Sequence, residues 1–231
     1  MEVTPLTIRA FRSARGLTGG LAFLVIGVLT TVGLTACGAP AYTYVADSSA
    51  QAYYKVPSQW HPISQQDLNA ALTAAGGSSA GIWSTAFDAN ASPSGGNFLA
   101  PSLNQPFVFA EVGTLSATES NELSYNTLRD FMLPVTSDAR SQDAQQGFPL
   151  TDFKSLRDQT ITDQKGVHGV RETFQYTFSG GIVDTFDEDV LTNADQTVVY
   201  FLILHCTQSC YSQNQVKINT VMSSFTVGSP T

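Results

Sequence analysis

The chain is short of the side chains that most often carry chemistry. Its 231 residues hold three histidines, three cysteines, and eleven lysines and arginines against nineteen carboxylates. So few cations among so many acids make a surface that repels phosphate backbones and anionic headgroups. Nucleic acid is thereby excluded as a partner, as is membrane attachment through a basic patch. The sequence alone assigns no orienting acid to His61, His168 or His205, and a histidine needs one to serve as a general base in a triad. His61 in "QWHPI" reads as shaping a turn with Trp60, His168 as a solvated hairpin residue, and His205 as a core or rim residue at the end of an apolar strand. No EF-hand spacing is present. No cofactor is expected, and no catalytic constellation stands out.

What the chain does have is a clear beginning. Arg9, Arg12 and Arg15 precede a stretch without a charged side chain from Gly16 to Ala46, centred on "LAFLVIGVLTTVGL". These are the basic and apolar regions of a secretory signal. Leu34-Thr35-Ala36-Cys37 then resembles the lipobox of bacterial lipoproteins. The resemblance implies cleavage between Ala36 and Cys37, with Cys37 carrying a thioether-linked diacylglycerol and two or three acyl chains such as palmitate. The rival reading is an uncleaved transmembrane anchor, for which the stretch is about long enough. Its glycines and threonines dilute the hydrophobicity, and a span needs no cysteine at its end. Either reading tethers the remainder outside the cytoplasm, and the lipobox places it on the cell membrane as a lipid-anchored protein. Membrane lipid is then its first partner.

The expected organisation is a signal peptide over 1–36, a lipidated cysteine and short tether over 37–40, and one α+β domain over 41–231. Without the three arginines and Glu2 of the leader, eight basic and eighteen acidic side chains remain, a balance of −10. Cys206 and Cys210, the two remaining cysteines, read as a disulfide outside the cytoplasm. Free thiols are the next reading. A zinc site would need further ligands, and His205 points away from Cys206 along a strand. A loop this short stabilises by about 2 kcal/mol, so the bond pins a local turn.

"AYTYVA" and "QAYYKV" predict a hairpin, and Ser64 with Asp67 predicts a helix start for "QQDLNAALTAA". "GIWSTAF" and "PFVFAEVGTL" predict strands joined by an exposed, mobile loop rich in Ser, Asn, Gly and Pro. Ser116 and Glu119 form a capping box opening one helix over "TESNELSYNTLRDFML". From Phe153, four long β segments separated by short turns predict an antiparallel meander. "TVVYFLIL", apolar on both faces, predicts a central strand. The last helix, "SCYSQNQVKINTVMSSF", carries a buried stripe of Tyr211, Ile218, Met222 and Phe225.

"YYKVPSQW" near the start and "VVYFLILHC" with "YSQNQVKINTVMSSFTV" at the end resemble the Mog1/PsbP-like fold. Its members open with a hairpin and a Pro-x-x-Trp-like turn, and close with a Tyr- and Leu-rich strand followed by a helix ending in Ser-Phe. The resemblance implies an antiparallel β-sheet flanked by helices, an α/β/α sandwich. It imports no function, since members include small-GTPase partners, photosystem assembly subunits and bacterial lipoproteins.

Three other features invite chemistry. Gly77-Ser78-Ser79-Ala80-Gly81 matches G-x-S-x-G, but a helix precedes it and a strand follows, the reverse of a nucleophile elbow. Asp184, Asp187, Glu188 and Asp189 in "DTFDED" alternate in direction along a strand, and read as a solvated or edge strand that resists edge pairing, with weak calcium binding as the alternative. Tyr42, Tyr44, Tyr53, Tyr54 and Trp60 crowd the membrane-proximal start. Alternation puts about half of them in the core, and the remainder offer a contact surface. The expected function is a non-catalytic binding or assembly module that meets an envelope protein or ligand. The alternatives are an envelope hydrolase using Ser78 or Ser79, or a small-solute-binding lipoprotein.

Overall fold

The computed structural model describes residues 40–74, 82–98, 100, 103–163 and 166–228. The leader, Ala36, Cys37, Ser78 and Ser79 lie outside these residues. The aromatic start folds as a hairpin of β1 (Tyr42–Asp47) and β2 (Ala52–Pro57), whose turn is tied by the Asp47 carboxylate accepting from the Ser49 and Ala50 amides. After a two-residue strand β3 (His61–Pro62), Ser64 caps α1 (Gln65–Ala74) by accepting from the Asp67 amide. Next come β4 (Trp83–Asp88) and β5 (Phe107–Thr114).

The loop joining β4 to β5 is held far more firmly than its composition suggests. Asp88, fully buried, accepts from the Asn90 and Ser94 amides and from the Asn97 side chain. Phe98 packs on Phe107 and Phe109. Gly95 lies so close to α1 that a Cβ there would sit 2.5 Å from the Asp67 carbonyl oxygen. One buried carboxylate and one close backbone approach outweigh the polar composition.

The single helix expected after Ser116 is two. Its capping box forms on α2 (Ala117–Glu122), but Ser124 competes by building a second capping box with Thr127, which starts α3 (Tyr125–Arg129). A helix not foreseen from the sequence follows, α4 (Ser137–Gln145), capped by Thr136. It has no buried residue, so it left no apolar period to read. The meander then runs β6 (Thr151–Thr162), β7 (His168–Phe178), β8 (Ile182–Thr192) and β9 (Val198–Thr207). Finally α5 (Gln208–Ser223) leads into β10 (Thr226–Val227).

The large sheet is antiparallel with strand order β3-β4-β5-β9-β8-β7-β6, and β9 is its middle strand, as its two apolar faces predict. A smaller sheet, β1-β2-β10, is separate from it. Register assigns the layers. Glu172 and Phe174 of β7 point to one face, where Arg129 of α3 and Phe153 meet them. Arg171 and Asp187 point to the other, where α5 meets them through the Met222 carbonyl and the Tyr211 hydroxyl. Tyr54 of β2 reaches that second face edge-on to Trp83 and Phe87. The result is an α+β fold in which helices flank an antiparallel sheet on both sides.

The predicted stripe on α5 is largely in place, with Ile218, Met222 and Phe225 buried and Tyr211 half-buried, joined by Cys210 and Val221. Gly95→Ala tests the loop packing. It is expected to cost about 1–3 kcal/mol, because the new methyl meets backbone that cannot yield. Urea unfolding reads this directly, and an unchanged midpoint would mean that the loop does not rest on α1.

Candidate functional site

The acidic strand is where structure and sequence reading part most. "DTFDED" is neither solvated nor an edge. It lies in β8, between β7 and β9, and Asp184, Asp187, Glu188 and Asp189 are all fully buried. Alternation does send them to opposite faces, and each face answers them differently.

On the α5 face the acids are paired with cations. Arg157 donates to Asp187 at 2.6 Å, and Tyr211 and Thr173 donate to the same carboxylate at 2.8 and 3.3 Å. Arg171 forms a two-nitrogen contact with Asp189 and reaches the Met222 carbonyl. Burial pushes both aspartates' pKa values up, against the pull of these partners. Tyr211, desolvated and beside Asp187, is pushed up as well.

The opposite face is less well compensated. Asp158, Glu172 and Glu188 stand directly across from one another on β6, β7 and β8. Arg129 bonds Asp158 at 2.9 Å and lies 3.7 Å from Glu172. Neither oxygen of Glu188 has a hydrogen-bond partner. Desolvation and the neighbouring Asp158 push Glu172 up to about 8. Desolvation, then Glu172, Asp189, Asp187 and Asp130, pushes Glu188 well up. Glu111, also desolvated, rises to about 7. On the same face Asp184 sits 3.4 Å from Nδ1 of the fully buried His205.

A groove of about 250 Å³ opens where α5 leaves the sheet. Its floor is one cross-strand row: Lys154 on β6 faces Gln175 on β7, Gln175 faces Thr185 on β8, and Thr185 faces Cys206 on β9. A bulge between Ser155 and Arg157 keeps Lys154 and Arg157 on this face despite their odd spacing, and leaves Leu156 at the rim. The wall is a stripe of α5 at i, i+3, i+4 and i+7, namely Gln208, Tyr211, Ser212 and Gln215. Cys206 and Cys210 are disulfide-bonded, which staples the end of β9 to the first turn of α5. Thr207 caps that turn by accepting from the Cys210 amide. Strand, bond and cap together fix the angle at which α5 diverges, and therefore the width of the groove. Inside it, Gln175 is only 7 % exposed and donates to Thr185 at 3.1 Å, while its amide oxygen carries no hydrogen bond among the described residues.

The other expected residues separate. Tyr54 and Trp60 are buried and leave the contact surface, whereas Tyr44 is 77 % exposed and Tyr42 and Tyr53 are half-buried. Tyr54 turns inward by alternation with Tyr53, and Trp60 follows a turn whose amide bonds Pro57. His61 is exposed and pairs with Asp88 in the β3–β4 ladder. His168 is half-buried, not solvated. Its ring bonds the Gly166 carbonyl and Gln196 and meets Tyr125 edge-on, because the hairpin it closes packs back on α3. Among the described residues, no group of three or more His, Cys, Asp or Glu is placed to hold a metal ion. No helix among them is long and apolar enough to cross a membrane.

No family model and no curated protein matches the chain. It is similar in fold to several solved structures. Cyanobacterial PsbP from Synechocystis is 11 % identical, with 86 % of this chain and 99 % of that one covered at a TM-score of 0.43. The Ran-binding protein Mog1p of Saccharomyces cerevisiae is 7 % identical, with 80 % and 95 % covered at 0.41. LpqN of Mycobacterium tuberculosis, involved in cell envelope biogenesis, is 13 % identical, with 81 % and 91 % covered at 0.43. These likenesses concern the fold alone.

The buried acids generate a signed pH dependence. Glu111, Glu172 and Glu188 hold their protons more tightly folded than unfolded, where a glutamate titrates near 4.3. The stability they contribute is complete below the unfolded value and is lost as pH rises through the folded values, about 7 for Glu111 and about 8 for Glu172. Thermal unfolding should therefore give a higher midpoint at pH 5 than at pH 8, and Glu188→Gln should flatten that slope. A slope of opposite sign would show that these carboxyls are ionised in the fold.

Proposed function

We propose that this chain is an extracytoplasmic lipoprotein whose leader is removed before Cys37, and whose folded part is a non-catalytic binding module working through the groove beside α5. The leader's order of basic flank, apolar run and lipobox supports the tether. The observation that carries the binding reading is Gln175: a largely buried residue that lines a polar groove, donates to Thr185 and leaves its amide oxygen open to the groove. A ligand donor can take the place of solvent at that acceptor. The surrounding donors are Gln208, Gln215 and Lys154, all neutral but one. They suit a hydrogen-bonding segment of an envelope partner or ligand rather than a highly charged one.

The acids nearest the groove are already engaged, Asp187 with Arg157, Thr173 and Tyr211, so none is free to act as a base there. The hydrolase alternative, through Ser78 or Ser79, meets α1 before the motif and β4 after it, the order opposite to a nucleophile elbow.

Two measurements test the proposal. Intact mass of protein from its native membrane should begin at Cys37 with lipid attached, and Cys37→Ala should be unprocessed or released. A surviving precursor mass in both would make the leader a transmembrane anchor. A serine-reactive phosphonate should leave the protein unlabelled. Stoichiometric labelling lost in Ser78→Ala or Ser79→Ala would replace binding with hydrolysis.

A further inference from the structure

The small sheet has two unlike sides. Ala52, Tyr54 and Val56 of β2 point inward and are buried. The outward side carries Tyr42, Tyr44 and Ala46 from β1 with Lys55 and Tyr53 of β2, and Thr226 of β10 lies beside Tyr53. Tyr44 is 77 % exposed, and the Lys55 ammonium sits 4.9 Å from the centre of the Tyr42 ring. This side carries no carboxylate. The one acid of the hairpin, Asp47, is turned into its own loop. In a domain whose balance after the leader is −10, a face of three tyrosines and one lysine is the exception that needs a reason.

Its position supplies one. Four residues separate Cys37 from Tyr42, so a fully extended tether reaches roughly 17 Å. A lipid on Cys37 therefore brings β1 to the headgroup layer. Tyrosine is enriched at that depth because its ring is apolar and its hydroxyl wet, and lysine there can lay its stem on apolar surface while its head stays solvated. Acidic neighbours would be repelled by anionic lipid, and the outward set has none.

We infer that the outward face of the β1-β2-β10 sheet is a membrane-interface platform, which gives the lipid-anchored domain a fixed orientation. This rests on the lipoprotein reading above. The platform's occupant is the headgroup region of the bilayer that holds Cys37.

The test uses the natively processed protein reconstituted in phosphatidylcholine vesicles. A thiol-reactive environment-sensitive fluorophore is placed at Ala46→Cys, on the platform, or at Gln159→Cys, on the far edge strand β6. Brominated phosphatidylcholine should quench the label at 46 and leave that at 159 untouched. Adding Tyr44→Ser, at an exposed position, should lower the quenching at 46 by about twofold. Equal quenching at the two positions overturns the platform, as does none at 46 in protein whose mass shows lipid on Cys37. Quenching at 46 that is absent in dilute vesicles and replaced by dimer on cross-linking would assign the face to a second copy and overturn it too. Protein without lipid on Cys37 fails the tether itself, a result that the mass reads separately, and the platform falls with it.

Discussion

The architecture hangs on a single buried carboxylate. Asp187, in the interior strand β8, gathers an arginine from β6, a threonine from β7 and the phenol of Tyr211 from α5. A charge with no exposed surface is tolerated only when it is paired and hydrogen-bonded, and here three donors from three different elements supply that compensation. The same residue therefore ties the edge of the sheet to its centre, and both to the helix that covers them. Removing any one donor leaves the others around an under-satisfied charge, so the interactions act as a unit.

The opposite face shows what happens when that compensation is withheld. Glu172 and Glu188 face each other with one arginine shared among three carboxylates, and desolvation pushes the pKa of both glutamates up, so each holds its proton more tightly than a free carboxyl does. Neutral carboxyls can be buried at far lower cost than ionised ones. One strand thus meets its surroundings in two ways: Asp187 and Asp189 face built-in cations on the α5 side, whereas Glu188 on the other side faces a second glutamate and holds its proton more tightly. The difference comes from the partners and not from the acids themselves.

Much of the frame was legible. The β-branched and aromatic run "TVVYFLIL" could only be a central strand, and Ser64, Ser116 and the stripe on α5 declared their helices through local rules. The burial of "DTFDED" was not declared by its own residues, since four acids in six positions look like a solvated edge. The signal lay in the hairpin. A tight turn over "SGG" pairs Phe178 with Ile182, and that register, carried down the strands, sets Arg171 against Asp189 and Glu172 against Glu188. Reading β8 with its neighbours, rather than alone, would have exposed both the ion pair and the acid pair. The groove had no such signal. It depends on where α5 diverges from the sheet, a tertiary property set by Thr207 and the Cys206–Cys210 bond. Likewise α4 was silent because it buries nothing, and the split between α2 and α3 turned on Ser124 outcompeting helix continuation.

The two surfaces with unexplained chemistry sit at opposite ends of one element. The groove is walled by the first half of α5, from Gln208 to Gln215. The platform is tied to its last turn, where the Ser224 hydroxyl accepts from the Lys55 amide and the chain enters β10. A helix of sixteen residues is roughly 24 Å long, and it is locked at its start by a disulfide and along its length by Asp187 and Arg171. It is therefore a rigid spacer. Were the tyrosine face to rest on a bilayer as proposed, α5 would fix the groove at a set separation from it. On that proposal the disulfide has a purpose that its small stabilisation does not supply: it sets the geometry of the groove in relation to the end proposed to meet the membrane.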